Sequence, residues 1–186
     1  MATRSSIAFV GKDGKVKSSY CHWDGYPANN GAILLIHYQE PEKVKELLSF
    51  GDISSLKKSV VPSEGSNHSY DNPENNVTVF YGRDRGEDSQ GNEFYSFDKY
   101  KEENGFQEYD YVYFETKKRW YIYNPTKDKL TTLSSEVKKA KKDMNKDMEV
   151  DYSLYIKEQE ARKLFKKMKE TLPNRSEEVY VFKPKL

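Results

Sequence analysis

Two strand-favouring runs, Ile7-Ala-Phe-Val10 and Val16-Lys-Ser-Ser-Tyr-Cys-His-Trp23, flank the polar segment Lys12-Asp13-Gly14-Lys15. An Asp-Gly pair is what primed hairpin turns prefer, so the chain is predicted to open with a β-hairpin. Side chains alternate along a strand, which places Val16, Ser18, Tyr20 and His22 on one face and Lys17, Ser19, Cys21 and Trp23 on the other. A second hairpin is predicted from Tyr109 to Glu115 and from Arg119 to Tyr123. There Tyr109, Tyr111 and Tyr113 share one face and Asp110, Val112 and Phe114 the other. Val77-Thr-Val-Phe-Tyr81 and Glu178-Val-Tyr-Val-Phe182 read as further strands.

Helical patterns lie between and after these runs. Asp24-Gly25-Tyr26-Pro27 ends the first hairpin, and Asn29 or Asn30 is placed to cap an almost wholly apolar helix carrying Ile33, Leu34, Leu35 and Ile36. Pro41 suits the first turn of a second helix with Val44, Leu47 and Leu48 on one side and Gly51 as its stop. Residues 62–76 combine Pro, Ser, Gly, Asn and Asp without periodicity, so an exposed and mobile loop is expected. Ser134-Ser135-Glu136 can cap a helix with the narrow stripe Val137, Ala140, Met144 and Met148. Ala161, Leu164, Phe165, Met168 and Leu172 mark a firmer one over 156–172, closed by Pro173. The expected fold class is a single-domain α+β protein, a mostly antiparallel sheet of hairpins with packed helices. Residues 1–130 form its core, and 131–186 form a lysine-rich helical extension with a terminal strand packed on the same domain.

Composition narrows the functions open to such a fold. Mean hydropathy is low at -0.97, but 15 Tyr, 9 Phe and 2 Trp supply enough buried area for a core in 186 residues. A formal charge of +1 argues against gripping nucleic acid along a basic face. The lysines of 138–146 and 163–169 are interleaved with acids, as on a solvated helix face. A single cysteine excludes an internal disulfide framework and a cysteine-based zinc site. No run approaches the ~20 apolar residues of a membrane span, and the first ten residues do not read as a signal peptide. A reducing cytosol is the expected location.

Two strings hold the chemistry. Tyr20-Cys-His-Trp-Asp-Gly-Tyr-Pro27 gathers a thiol, an imidazole, an indole and a carboxylate. A nucleophilic Cys21 would need a base that His22, on the opposite strand face, does not provide, leaving His37 or His68; the alternative is a buried, inert thiol. His22 and Asp24 are two apart on one face and can serve as an acid/base pair or simply hold the turn. No histidine or cysteine spacing for a metal accompanies them, so neither metal nor cofactor is expected. Trp23 is expected in the core. Gly82-Arg-Asp-Arg-Gly-Glu87 can present Arg83 and Arg85 as a fork for phosphate, or close on itself through Asp84 and Glu87. It lacks the P-loop spacing.

Tyr20-Cys-His-Trp-Asp-Gly-Tyr-Pro27 and Tyr81-Gly-Arg-Asp-Arg-Gly-Glu87 resemble strings in a group of small, uncharacterised proteins of bacteriophages and prophages. The similarity extends over the first half of the chain, including its TRS start and the stretch from Glu42 to Leu56. The resemblance implies an accessory protein acting in the host cytoplasm, where such proteins bind a host protein or disarm a defence system. It carries over no catalytic residue. Two readings follow, with a virion component as a third. In the first, a non-enzymatic binder uses an exposed aromatic patch on the 109–123 hairpin or the C-terminal helices. In the second, a pocket takes a nucleotide or other phosphorylated small molecule, with Arg83 and Arg85 on the anion, Tyr20, Trp23 or Tyr26 stacking, and His22 with Asp24 as acid/base.

Overall fold

A computed structural model describes residues 2–171 of the chain. The strand expected at 178–182 and the Leu172-Pro173 helix end lie outside the described residues. β1 (Ser5–Val10) and β2 (Val16–Trp23) pair antiparallel from Val10 opposite Val16 to Ser5 opposite Cys21. Their connection is longer than a two-residue primed turn. The Gly11 N–H donates to the Lys15 carbonyl at 2.9 Å, the Gly14 N–H to the Gly11 carbonyl at 3.0 Å, and Gly14 sits at φ 82°. Asp-Gly serves this three-residue loop equally well, because Asp13 accepts from the Lys15 N–H at 3.1 Å and only Gly14 needs the left-handed conformation.

The other strands are β3 (Ile53–Ser55), β4 (Val79–Phe80), β5 (Asn92–Phe94), β6 (Tyr109–Phe114), β7 (Arg119–Asn124) and β8 (Lys129–Thr132). The sheet order is β4-β3-β2-β1-β6-β7-β8, with β5 added to β2. Only β1·β6 and β2·β3 are parallel, so the sheet is mostly antiparallel, as the hairpins require. Together with the helices packed on it, this is the expected α+β fold.

Helices cover both faces. On one, Tyr100 of α4 (Phe97–Glu103) packs against Ala8, Val10, Val16, Val112 and Tyr123. On the other, aromatic side chains are anchored by their polar ends. Tyr111 donates to the Gly25 carbonyl, Tyr113 to the Gln39 carbonyl and Trp120 Nε1 to the Tyr38 carbonyl, each at 2.7 Å. The Tyr38 and Gln39 carbonyls lie between α1 (Ala32–His37) and α2 (Pro41–Ser49), and Gly25 precedes the turn that leads into α1. The 109–123 hairpin is therefore core: Tyr111 and Tyr113 are 0% exposed and Trp120 3%. Burying rings of this size dominates core energetics, and each well-oriented aromatic pair adds roughly 0.5–1.5 kcal/mol.

Several local expectations change. Pro27–Gly31 forms a π-helical turn ahead of α1, and neither Asn29 nor Asn30 caps it; the Asn30 side chain turns inward instead. The predicted strand 77–81 shrinks to Val79–Phe80, because Tyr81 opens the short helix α3 (Tyr81–Arg85), closed by left-handed Gly86 at φ 72°. Helix α5 (Leu133–Ala140) begins before the serines, and Ser135 bonds back to the Thr132 carbonyl at 2.9 Å. Helix α6 (Lys146–Thr171) starts well before residue 156, because Asn145 Oδ1 accepts from the Met148 N–H at 2.9 Å and caps it.

The chain divides after Tyr152 into two compact units. The first includes α5, whose Leu133 and Val137 are fully buried. In the second, from Ser153, the α6 residues Leu154, Leu164, Phe165 and Met168 are exposed. No described helix is long and apolar enough to cross a membrane.

Candidate functional site

Cys21 lies in the middle of the sheet and is fully buried. Its Sγ accepts from Asn30 Nδ2 at 3.2 Å, and the same amide reaches Ser5 Oγ and the Trp23 carbonyl, both at 3.2 Å. Burial pushes the thiol up to about 11, against the smaller opposing effects of Asn30 and Ser5. A protonated, enclosed thiol is a small hydrophobe, not a nucleophile. None of the histidines is among its partners. His37 pairs with Asp151 at 3.5 Å, and His68 with Asp84 at 3.3 Å.

His22 and Asp24 do not form the pair that strand alternation suggests. Asp24 adopts φ 55°, which breaks the strand, and its carbonyl accepts from the Asn30 N–H at 3.3 Å. The His22 ring instead shares a hydrogen bond with the Tyr20 hydroxyl, Nδ1 to oxygen 2.8 Å. Gly25 follows because a Cβ there would lie 2.7 Å from the Arg4 backbone carbon. Trp23, placed in the core by sequence reasoning, is 44% exposed, and Tyr26 is 37% exposed. Trp23 is the last residue of β2, where it pairs with Ser55 of β3. The His22 ring meets the indole edge-on at 4.6 Å.

In the Gly82–Glu87 segment the arginines have different duties. Arg83 Nε donates to Asp84 Oδ1 at 2.6 Å and Nη2 to Asp84 Oδ2 at 2.8 Å. Nη1 donates to the Val60 carbonyl, and Nη2 also reaches the Thr78 carbonyl at 2.8 Å and lies 3.1 Å from His68 Nε2. Asp84 Oδ2 accepts from the Phe80 N–H at 2.7 Å. Since β4 is the outermost strand on this side, the Arg83–Asp84 pair occupies polar backbone groups that an open sheet edge would offer to another strand. Burial pushes the Asp84 carboxyl up, but the hydrogen bonds from Arg83 and Phe80 and the charges of Arg83 and His68 outweigh it and hold the carboxyl below its ordinary value. His68 also ties down the loop 62–76, its Nδ1 accepting from the Glu74 N–H at 3.0 Å.

Arg85 faces outward. It pairs with Glu87 at 2.7 Å, and its guanidinium lies 4.3 Å from the Tyr70 ring centre and 4.8 Å from that of Tyr81. Tyr70 is 42% exposed.

The two strings meet through Asp52, which sequence reasoning passed over. Its Oδ1 accepts from the Tyr20 N–H at 2.8 Å, its carbonyl from the Tyr81 N–H at 3.0 Å, and its Oδ2 from Ser89 Oγ at 2.6 Å. Burial pushes the Tyr81 phenol up, and Tyr20 is close enough to add a smaller push in the same direction. The result is a surface of Trp23, His22, Tyr20, Tyr81, Arg85 and Tyr70 on the β2–β3–β4 end of the sheet. Tyr70 and Tyr81 were not among the residues singled out from sequence; Tyr81 stands at the head of the second string, whereas Tyr70 sits in a loop with no pattern to mark it. Among the described residues, no three His, Cys, Asp or Glu side chains come together in a way that could hold a metal ion. The chain matches no protein-family model, and it shows no significant match to a curated protein or a solved structure.

Proposed function

We propose that this chain is a non-enzymatic binding protein that engages a protein partner through the surface formed by Trp23, His22, Tyr20, Tyr81, Arg85 and Tyr70. The observation that carries this reading is Trp23 itself, a large indole left 44% exposed at the rim of a fold that buries its other tryptophan. Trp, Tyr and Arg are the residues that concentrate binding energy at protein interfaces, and here all but Tyr70, which lies in the 62–76 loop, stand on a strand or a short helix. The resemblance of both strings to phage and prophage proteins supports a host protein as the partner, a component of a defence system included, met in the host cytoplasm. A phosphate-binding pocket is supported less well, because Arg83 is committed to Asp84 and backbone carbonyls and Arg85 to Glu87.

Affinity capture from bacterial lysate, with wild type and Trp23→Ala as paired baits of equal thermal stability, tests the proposal. The expected result is a protein enriched by wild type and lost, by tenfold or more, with Trp23→Ala, since an interfacial tryptophan is worth about 2 kcal/mol or more. Equal capture by both baits, or none by wild type, would remove the support for it.

A further inference from the structure

An apolar stripe stands open to solvent in the second unit. Along α6, Leu154, Leu164, Phe165 and Met168 are 59%, 61%, 58% and 52% exposed. At 3.6 residues per turn these four, with exposed Ala161 between them, fall within about 100° of the helix circumference. Single apolar residues on a surface need no explanation, but a strip aligned over about four turns marks an interaction face.

Charge along the same helix is sorted by position. Residues 146–160 hold five acids against two lysines, and residues 161–171 hold five basic side chains against Glu170 alone. The helix macrodipole favours this sense of charge only in the first and last turns, whereas here the sorting runs the whole length of α6.

We propose that the α6 stripe pairs antiparallel with α6 of a second copy of this chain. Antiparallel pairing sets the acidic half of each helix beside the basic half of the other, while a parallel pair would bring like charges together. The contact is isologous, so one surface serves both copies. Leu154, Ala161 and Met168 recur every seven residues with Leu164 at the intervening position, which is the spacing of a coiled-coil seam. With Ala161 of one copy opposite Leu164 of the other, small meets large twice across the two-fold axis, and Glu160 of each copy comes beside Lys167 of the other. Lys157 takes a remaining seam position and weakens the pair, which makes the association reversible. A basic amphipathic helix can also lie on an anionic membrane, but the acidic half of α6 would be repelled there. The inference stands apart from the Trp23 surface and does not depend on it.

Sedimentation equilibrium of the full chain at about 5–200 µM tests it, and a reversible monomer–dimer equilibrium is expected in that range. Leu164→Glu combined with Phe165→Glu is expected to abolish the dimer while leaving the melting temperature and circular dichroism spectrum unchanged, since both side chains are exposed. Glu160→Lys is expected to weaken dimerisation about fivefold or more, and adding Lys167→Glu to restore it, because the exchange rebuilds both charge pairs between the copies. Four results would overturn the inference: a chain that stays monomeric to about 200 µM, a dimer that survives Leu164→Glu with Phe165→Glu, a double charge exchange no tighter than Glu160→Lys alone, or a monomeric chain that sediments with phosphatidylserine vesicles.

Discussion

Cys21 and Trp23 stand two residues apart on the same strand and meet opposite fates. Cys21 is flanked by β1 and β3 and enclosed by Asn30 and Ser5, whereas Trp23 is the last residue of β2 and half open to solvent. The thiol of native protein is therefore expected to resist iodoacetamide at about pH 8 and to react only on unfolding, read by mass spectrometry. Asp110 supplies a second prediction. Burial pushes its carboxyl from the ordinary 3.8 up to about 7, with only the Gln107 N–H opposing. A group whose folded value is raised favours folding below its unfolded value and loses that contribution as pH rises through the folded one. Stability is thus expected to fall between about pH 4 and pH 7 by way of this residue. Asp110→Asn should raise the melting temperature more at about pH 8 than at about pH 5. An equal shift at both would mean that the carboxyl is not taken up neutral by the fold.

At the scale of elements, the short helix α3 and the edge strand β4 depend on one another. Arg83 and Asp84 occupy the Val60 and Thr78 carbonyls and the Phe80 N–H, and the Arg83 guanidinium covers the Phe80 ring at 4.9 Å. Removing the guanidinium strands the Asp84 carboxylate, whose side chain is 3% exposed. Arg83→Ala is expected to cost about 2–4 kcal/mol in urea unfolding, with Arg83→Lys recovering only part of it for lack of a fork. Both hairpins were legible in sequence because period-two alternation and turn residues are local signals, and α2 was legible from Pro41 and its Val44, Leu47, Leu48 stripe. The parallel pairing of β1 with β6 was not, since it joins residues about a hundred positions apart and leaves no periodic trace. The two-residue β4 and three-residue β3 are too short to carry a pattern. The two strings were visible as unusual, but their meeting was not, because it runs through the backbone and carboxylate of Asp52.

For the whole molecule, the aromatic content splits into two populations. The 109–123 rings, which sequence alone offers as an exposed binding face, lie between helices with Tyr111, Tyr113 and Trp120 buried. Of the exposed rings of the first unit, Trp23 stands at the end of β2 and Tyr70 beside Arg85 of α3, where the sheet edge is closed by the Arg83–Asp84 pair, while Tyr95, 69% exposed, lies apart after β5. That arrangement suits docking against a folded surface and disfavours strand addition at β4. Because Trp120 is 3% exposed and Trp23 44%, iodide should quench chiefly the Trp23 emission of the free protein. The most direct measurement is iodide quenching of this chain in complex with the protein it captures, with Trp120 read alone in Trp23→Phe. The quenchable component of the free protein is expected to disappear on binding. A Trp23 that remains as open to iodide in the complex as in the free chain would contradict it.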